Sequence, residues 1–245
     1  MSHTFTARRT GLVLVITALA VGLMATMTAP AGAVSQSGTG CAPASVLAAR
    51  ASTERQGEGT IASLVDDIQN SVNAGVTESA VVYPATLNNY ANSAAQGDSA
   101  MKSELQTMVN NCPNEKIVIV GYSQGAQLVG DVLGGGGGGS LGTATPPAPA
   151  SVTSHIVAAI QFGDPRHLPN KSYNKGTATG ATGLFPRGAN QSIDGFASIL
   201  QSYCDTGDPF CASGNNLNAH LIYDQKYDTQ AAAFVKGKLN AAGVN

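Results

Sequence analysis

The stretch Ile117-Val118-Ile119-Val120 runs straight into Gly121-Tyr122-Ser123-Gln124-Gly125, after which Ala126 to Leu133 reads as a helix. Four consecutive β-branched apolar residues, without polar alternation, are what a strand covered on both faces looks like. Joined to a helix through so few residues, that strand must end in a sharp turn. The positions two before and two after the serine must therefore lack bulk, and Gly121 and Gly125 meet that demand, with Ala126 beside them. Such a turn lifts the Ser123 hydroxyl to the carboxyl edge of the sheet, where the start of a helix favours developing negative charge. Gly-x-Ser-x-Gly is a weak pattern alone; between a strand and a helix it marks a candidate nucleophile.

The remainder of the chain fits around that unit. Ser45 to Ala49 reads as a strand, and Ile61, Leu64, Val65, Ile68 and Val72 recur at helical spacing before Gly75. Val81-Val82-Tyr83 reads as a second strand stopped by Pro84, Ser93 to Asn110 as a helix, Ile156 to Phe162 as another buried strand, and Ala231 to Leu239 as a closing helix. Strands alternating with helices imply an α/β fold, a mostly parallel sheet with helices on both sides. No repeat and no second domain is visible. Six consecutive glycines, Gly134 to Gly139, follow a helix rather than precede one and lack the Gly-Lys-Ser/Thr of a phosphate loop. They are expected to form a flexible surface loop.

Arg8 and Arg9 precede an apolar run from Gly11 to about Met27, and Ala31-Gly32-Ala33 supplies small residues at its exit. A positive head, an apolar middle and a small-residue exit describe a secretory signal. Residues 1–33 are thus expected to be removed, leaving a domain over 34–245 that is secreted and held to no membrane. With 13 basic against 15 acidic side chains in the whole chain there is no basic footprint for nucleic acid. The four cysteines, Cys41, Cys112, Cys204 and Cys211, suit two disulfides in an exported chain, with 204–211 and 41–112 the simplest pairing. No C-x-x-C spacing and only four histidines argue against zinc. Asn170-Lys171-Ser172 and Asn190-Gln191-Ser192 are glycan acceptor patterns.

A serine hydroxyl needs a base to take its proton and a carboxylate to orient that base, in the chain order Ser, Asp or Glu, His. After Ser123 the histidines are His155, His167 and His220. His155 directly precedes a buried strand and reads as a strand-edge residue. His167 follows Asp164 by three residues, just past a strand end, and is a serious rival. His220 follows Asp208, which lies inside the Cys204–Cys211 loop, where a disulfide would fix the direction of its carboxylate. Order alone favours His220 but leaves His167 open.

Gly121-Tyr122-Ser123-Gln124-Gly125, Phe162-Gly163-Asp164-Pro165, Tyr203-Cys204-Asp205-Thr206-Gly207-Asp208-Pro209-Phe210-Cys211 and Ala219-His220 occur in that order and closely resemble the cutinase and acetylxylan esterase family. The resemblance extends from Cys41 to the last helix. It implies a small three-layer α/β-hydrolase sandwich with no metal or other cofactor, acting as a monomer on polymeric or small esters. It further implies Ser123 as nucleophile, Asp208 as orienting acid and His220 as base, with Cys41 paired to Cys112 and Cys204 to Cys211. The elbow geometry makes the Gln124 backbone N–H one oxyanion donor. Arg50-Ala51-Ser52-Thr53-Glu54 resembles the family's oxyanion loop, which makes Ser52 the other. The expected activity is deacetylation of plant-wall polysaccharide, with cutin hydrolysis the alternative. A binding protein that kept only the fold is disfavoured by the presence of all three triad residues. Asn215, Asn216 and Asn218 before His220 favour a sugar; Leu217, Leu221 and Ile222 favour an acyl chain.

Overall fold

The computed structural model describes residues 40–245; the expected export signal and its exit at Ala31-Gly32-Ala33 lie outside the described residues. Six strands, β1 (Ala44–Ala49), β2 (Val76–Ala80), β3 (Lys116–Tyr122), β4 (Ile156–Phe162), β5 (Asn174–Lys175) and β6 (Leu200–Tyr203), form one wholly parallel sheet in the order β2-β1-β3-β4-β6-β5. Ala49 pairs with Gly121, Tyr122 with Phe162 and Phe162 with Tyr203, so the four central strands end level along one edge.

The alternation of β3 separates two cores. Val118 and Val120 face the layer of α1 (Ala62–Ser71) and α6 (Tyr223–Ala241), packing with Leu64, Ile68, Val235 and Leu239. Ile117 and Ile119 face α2 (Tyr90–Asn111) and α3 (Gln124–Gly134), packing with Met101, Leu105, Leu128 and Val132. This is the three-layer α/β sandwich. A strand with both faces in dry cores has no polar alternation to show, which is why β3 and β4 are so plain in the sequence. Two short helices, α4 (Ala150–Thr153) and α5 (Leu217–His220), complete the fold. Among the described residues no helix is long and apolar enough to cross a membrane. Asn170 and Asn190 are both exposed.

Three sequence expectations need correction. Val81-Val82-Tyr83 is not the second strand; that strand is the polar Val76–Ala80 at the sheet edge. Val81 N–H still bonds Ala48 O (2.9 Å), but the Arg50 guanidinium takes the carbonyls of Val81 and Tyr83 and turns the chain out of the sheet. The glycine run is not a loose surface loop either. Gly134 closes α3, Gly134 to Gly136 are buried, and Gly136 exchanges backbone hydrogen bonds with Thr145 (3.1 and 2.9 Å). Side chains at Gly134 to Gly137 would meet Gln191 O, Thr145 O, Asp98 Oδ2 and Thr143 O at 2.0–2.7 Å. Finally, α6 begins at Tyr223 rather than Ala231, because its first turns, Asp224 to Gln230, are polar and carry little helical periodicity.

Beneath α3 lies a closed charge cluster. Asp131 accepts from Arg166 (2.8 Å) and Arg187 (2.9 Å), and Arg187 reaches Asp164 at 3.7 Å, all four side chains being buried. Removing one partner of such a cluster leaves an uncompensated buried charge, which typically costs ~3–5 kcal/mol. Asp131→Ala is therefore expected to lower the urea-unfolding free energy by about that amount. A loss below about 1 kcal/mol would show that water reaches the two arginines.

Candidate active site

Ser52, Ser123 and Asp208 all lie on segments that leave the same edge of the sheet, past the carboxyl ends of β1, β3 and β6. Ser123 itself has φ 56° and ψ −115°, a conformation that side chains rarely adopt and that the surroundings must impose. The imposing contacts are visible. A Cβ at Gly121 would stand 2.3 Å from Gly125 O, and one at Gly125 would stand 1.8 Å from Ala49 O. Helix α3 therefore starts in contact with the end of β1, and the serine between the glycines is forced outward, half-buried, ahead of the first α3 turn.

Asp208 and His220 are brought together. His220 Nδ1 lies 2.7 Å from Asp208 Oδ2. An ionised carboxylate only accepts, so Nδ1 carries a proton, and in the neutral ring Nε2 then keeps its lone pair. The Cys204–Cys211 disulfide closes the loop around Asp208, while Cys41–Cys112 ties the start of the domain to the end of α2. Within the loop, the N–H groups of Phe210 (2.7 Å) and Cys211 (3.1 Å) bond Asp208 Oδ1. The Tyr223 hydroxyl donates to Oδ2 (2.8 Å) and accepts from Asp205 N–H (2.8 Å). Burial would raise the Asp208 carboxyl, but the His220 ring, the Phe210 N–H and the Tyr223 hydroxyl outweigh it and hold the group below the usual range. The imidazole is clamped between rings: Tyr122 stacks at 5.2 Å and Phe210 packs at 4.5 Å. The Tyr122 hydroxyl also donates to the His220 carbonyl. Gly163, just past β4, leaves room for the ring, since a Cβ there would lie 2.8 Å from His220 Nδ1.

The rival histidines sit elsewhere. His155 is at the amino end of β4, with Nδ1 3.4 Å from Glu115 O, at the opposite edge of the sheet. His167 is buried; only its backbone meets Asp164, through N–H to carbonyl at 3.0 Å. The Asp164 carboxylate is instead engaged by Gln161, the Arg166 N–H and Arg187. Burial holds the His167 imidazole below its usual range, despite Asp164.

Ser52 and Gln124 flank the elbow. Ala51 N–H is taken by Glu54 Oε2 (2.7 Å) and Thr53 N–H by Ala85 O (2.6 Å). The Ser52 N–H between them has no partner among the described residues, and its hydroxyl is shielded from solvent and likewise unpartnered. The Gln124 side chain turns inward to accept from Ser93 (3.0 Å), leaving its N–H at the open start of α3. Arg50 anchors this side through Tyr83 O (2.6 Å), Gln56 Oε1 (2.8 Å) and Glu54 O (3.0 Å). Arg50, Tyr122, Phe210 and Tyr223 were not foreseen as supports. Only their nearness to Ser52, Ser123, Asp208 and His220 in the chain hinted at them. Among the described residues no three His, Cys, Asp or Glu side chains converge as metal ligands would.

Comparison with known proteins bears on the family and the fold. A family model described as Cutinase matches residues 40–239. An acetylxylan esterase of Hypocrea jecorina is 37% identical over 83% of this chain and 69% of its own length. Cutinase 11 of Verticillium dahliae is 38% identical over 83% of this chain and 71% of its own length. The solved catalytic core domain of acetyl xylan esterase from Trichoderma reesei superposes with a TM-score of 0.76, at 39% identity, over 82% of this chain and all of that one.

The hydrogen bonds to Asp208 carry a pH signature. A carboxyl whose pKa is lowered on folding contributes stability above its unfolded value, about 3.9, and loses it as pH falls through the lower folded value. The stability gap between the wild type and Asp208→Asn is thus expected to be full at pH 6 and to shrink below about pH 4. Urea unfolding at several pH values measures it, and a gap that stays constant down to pH 2 would contradict the account.

Proposed function

Since the chain belongs to the cutinase family, whose relatives are carboxylic ester hydrolases, we propose that it is a secreted serine esterase that removes acetyl groups from plant-wall polysaccharide. The observation that carries the reading is the His220–Asp208 pair at 2.7 Å, on the sheet edge that presents the strained Ser123. In this reading His220 Nε2 takes the Ser123 proton as the hydroxyl oxygen attacks the ester carbonyl. The tetrahedral oxyanion is held by the N–H groups of Ser52 and Gln124, the former aided by its unpartnered hydroxyl. Loss of one such donor typically slows turnover ~100–1,000-fold. The intermediate collapses as His220 returns the proton to the leaving alcohol, and water repeats the cycle on the acyl-enzyme. Asp208 holds the ring in the productive tautomer and stabilises the imidazolium as it forms. Residues 1–33 serve as the export signal and residues 34–245 act as a monomer outside the cell.

The rim around His220 is mixed. Asn215 and Asn218 are exposed, while the Asn216 side chain caps α5 by accepting from the Asn218 N–H (3.1 Å). Leu217 and Leu221 are also exposed, each by about half. The leucines keep cutin hydrolysis as the second reading; the asparagines and the likeness to acetyl xylan esterases favour the first.

Ser123→Ala and His220→Ala are each expected to lower ester turnover at least about a thousandfold, because the two groups act as one unit. His167→Ala should retain the rate where it stays folded. An active His220→Ala with an inactive His167→Ala would transfer the base to the rival, and failure of an organophosphonate to label Ser123 would leave only a binding protein. Chain length separates the two substrates. Each buried methylene is worth ~0.8 kcal/mol. Half of that realised in the transition state gives about twofold per carbon in an acyl groove. A site shaped for acetyl resists extra carbons, since overpacking costs ~1–3 kcal/mol. We expect kcat/KM for p-nitrophenyl acetate to equal or exceed that for the butyrate; a clear butyrate preference would favour cutin.

A further inference from the structure

A concavity of about 450 Å3 is lined by none of the proposed catalytic groups. Leu184 and Phe185 form its near wall. The same two residues back onto the site: Leu184 N–H bonds Phe210 O (2.7 Å), Phe210 packs on His220, and the Phe185 ring lies 5.5 Å from that of Tyr90. Leu184 and then Phe210 thus stand between the concavity and His220. A ligand occupying both must be an extended molecule of which the ester is one part.

The walls define its chemistry. Arg166 reaches the concavity, but its charge is matched by Asp131, and no lining residue is acidic. A charged ligand would find no counter-ion there. The Ser140 hydroxyl and the exposed Asn190 amide offer neutral donors and acceptors beside the apolar Leu184 and Phe185, whereas the Gly138 peptide is already bonded to Gly142 and Leu141. Hydrogen-bonding groups beside apolar ones suit a sugar ring, which carries hydroxyls at its rim and C–H groups on its faces. The last two glycines of the run shape the same wall. A Cβ on Gly138 would come no nearer than 3.7 Å to any atom, and one on Gly139 would meet nothing within 4 Å. Packing does not demand glycine at these two places as it does at the four before them. Their positive φ (89° and 55°) favours glycine whatever the space, and without side chains they leave that wall open.

We infer that this concavity is a subsite for the neutral sugar chain that bears the acetyl group, holding residues next to the one being deacetylated. The inference rests on the proposed polysaccharide reading. Ala144 lies exposed at the lining, away from the proposed catalytic groups, so Ala144→Arg places a long charged side chain across the space, with Ala144→Ser as control. The protein should be made without a glycan on Asn190. For Ala144→Arg, kcat/KM on acetylated xylo-oligosaccharide is expected to fall at least about tenfold while that on p-nitrophenyl acetate stays within about twofold; Ala144→Ser should match the wild type on both. In Ser123→Ala background, titration with unacetylated xylohexaose should shift amide resonances of Gly138 and Gly139, and adding Ala144→Arg should abolish the shifts. If the wild type cleaves the oligosaccharide and Ala144→Arg cleaves it equally well, the subsite is wrong and the polysaccharide reading stands. Equal loss on both esters also overturns it, since the concavity would then belong to the hydrolytic site. A wild type that cleaves p-nitrophenyl acetate but no acetylated oligosaccharide overturns the reading beneath.

Discussion

Helix α3 can begin where it does because nothing stands between Gly125 and the end of β1. The space for a single Cβ is already occupied by the Ala49 carbonyl. That approach sets the height of α3 on the sheet and forces Ser123 into its unusual backbone conformation. It also brings the start of the helix close to the segment that leads into Ser52, since a Cβ on Gly125 would lie 2.6 Å from Arg50 O. Any larger residue would move α3 away from β1 and relax the serine. It would also separate the two sides of what is proposed to be the oxyanion hole. Strain at Ser123 is thus sustained by the dry cores on both faces of β3, whose burial fixes strand and helix more firmly than one residue can resist.

Two buried aspartates illustrate how environment assigns a role. Asp131 meets two guanidinium groups and its charge is cancelled. It holds together α3, the segment after β4 and the Arg187 loop, and has nothing left to offer a substrate. Asp208 is met by two backbone N–H groups, a tyrosine hydroxyl and an imidazole, with no permanent cation beside it. These donors keep it ionised without neutralising it. In the proposed mechanism that unspent charge is what stabilises an imidazolium, because the opposing positive charge arrives only when the Ser123 proton does.

The sheet and its layers were legible because β3, β4 and β1 are buried on both faces and write unbroken apolar runs. The elbow was legible because its sterics restrict residue type at Gly121 and Gly125. Other parts were hidden for physical reasons. Edge strand β2 carries Thr77, Glu78 and Ser79 and has no apolar signature, while the apolar Val81-Val82-Tyr83 beside it is bent out of the sheet by Arg50, a long-range contact. The first turns of α6 are polar because their outer surface is wet, yet Tyr223 there reaches Asp208. Asp164 and His167 stand at a suggestive spacing, but the decisive pairing of Asp164 is with Arg187, distant in the chain. Local spacing could raise that rival but could not remove it.

Composition also misled where one residue type serves different ends. Six glycines in a row suggest flexibility, because in an unconstrained chain glycine has the most freedom to lose. In the folded protein four of them are set by the approach of other backbone or side-chain atoms, and the run is largely fixed. What distinguishes the last two is the space beside them, a property of segments 184–191 and 140–144 that no local pattern contains. The same holds around His220, where Asn216 looks in sequence like one more polar group for a substrate but is consumed in capping α5. A polar or small residue near a site becomes informative about substrate only after its own hydrogen bonds and packing are accounted for. The groups left over here are the Asn190, Asn215 and Asn218 amides and the Ser140 hydroxyl. They are neutral and hydrogen-bonding, which is the chemistry of a sugar more than that of an acyl chain.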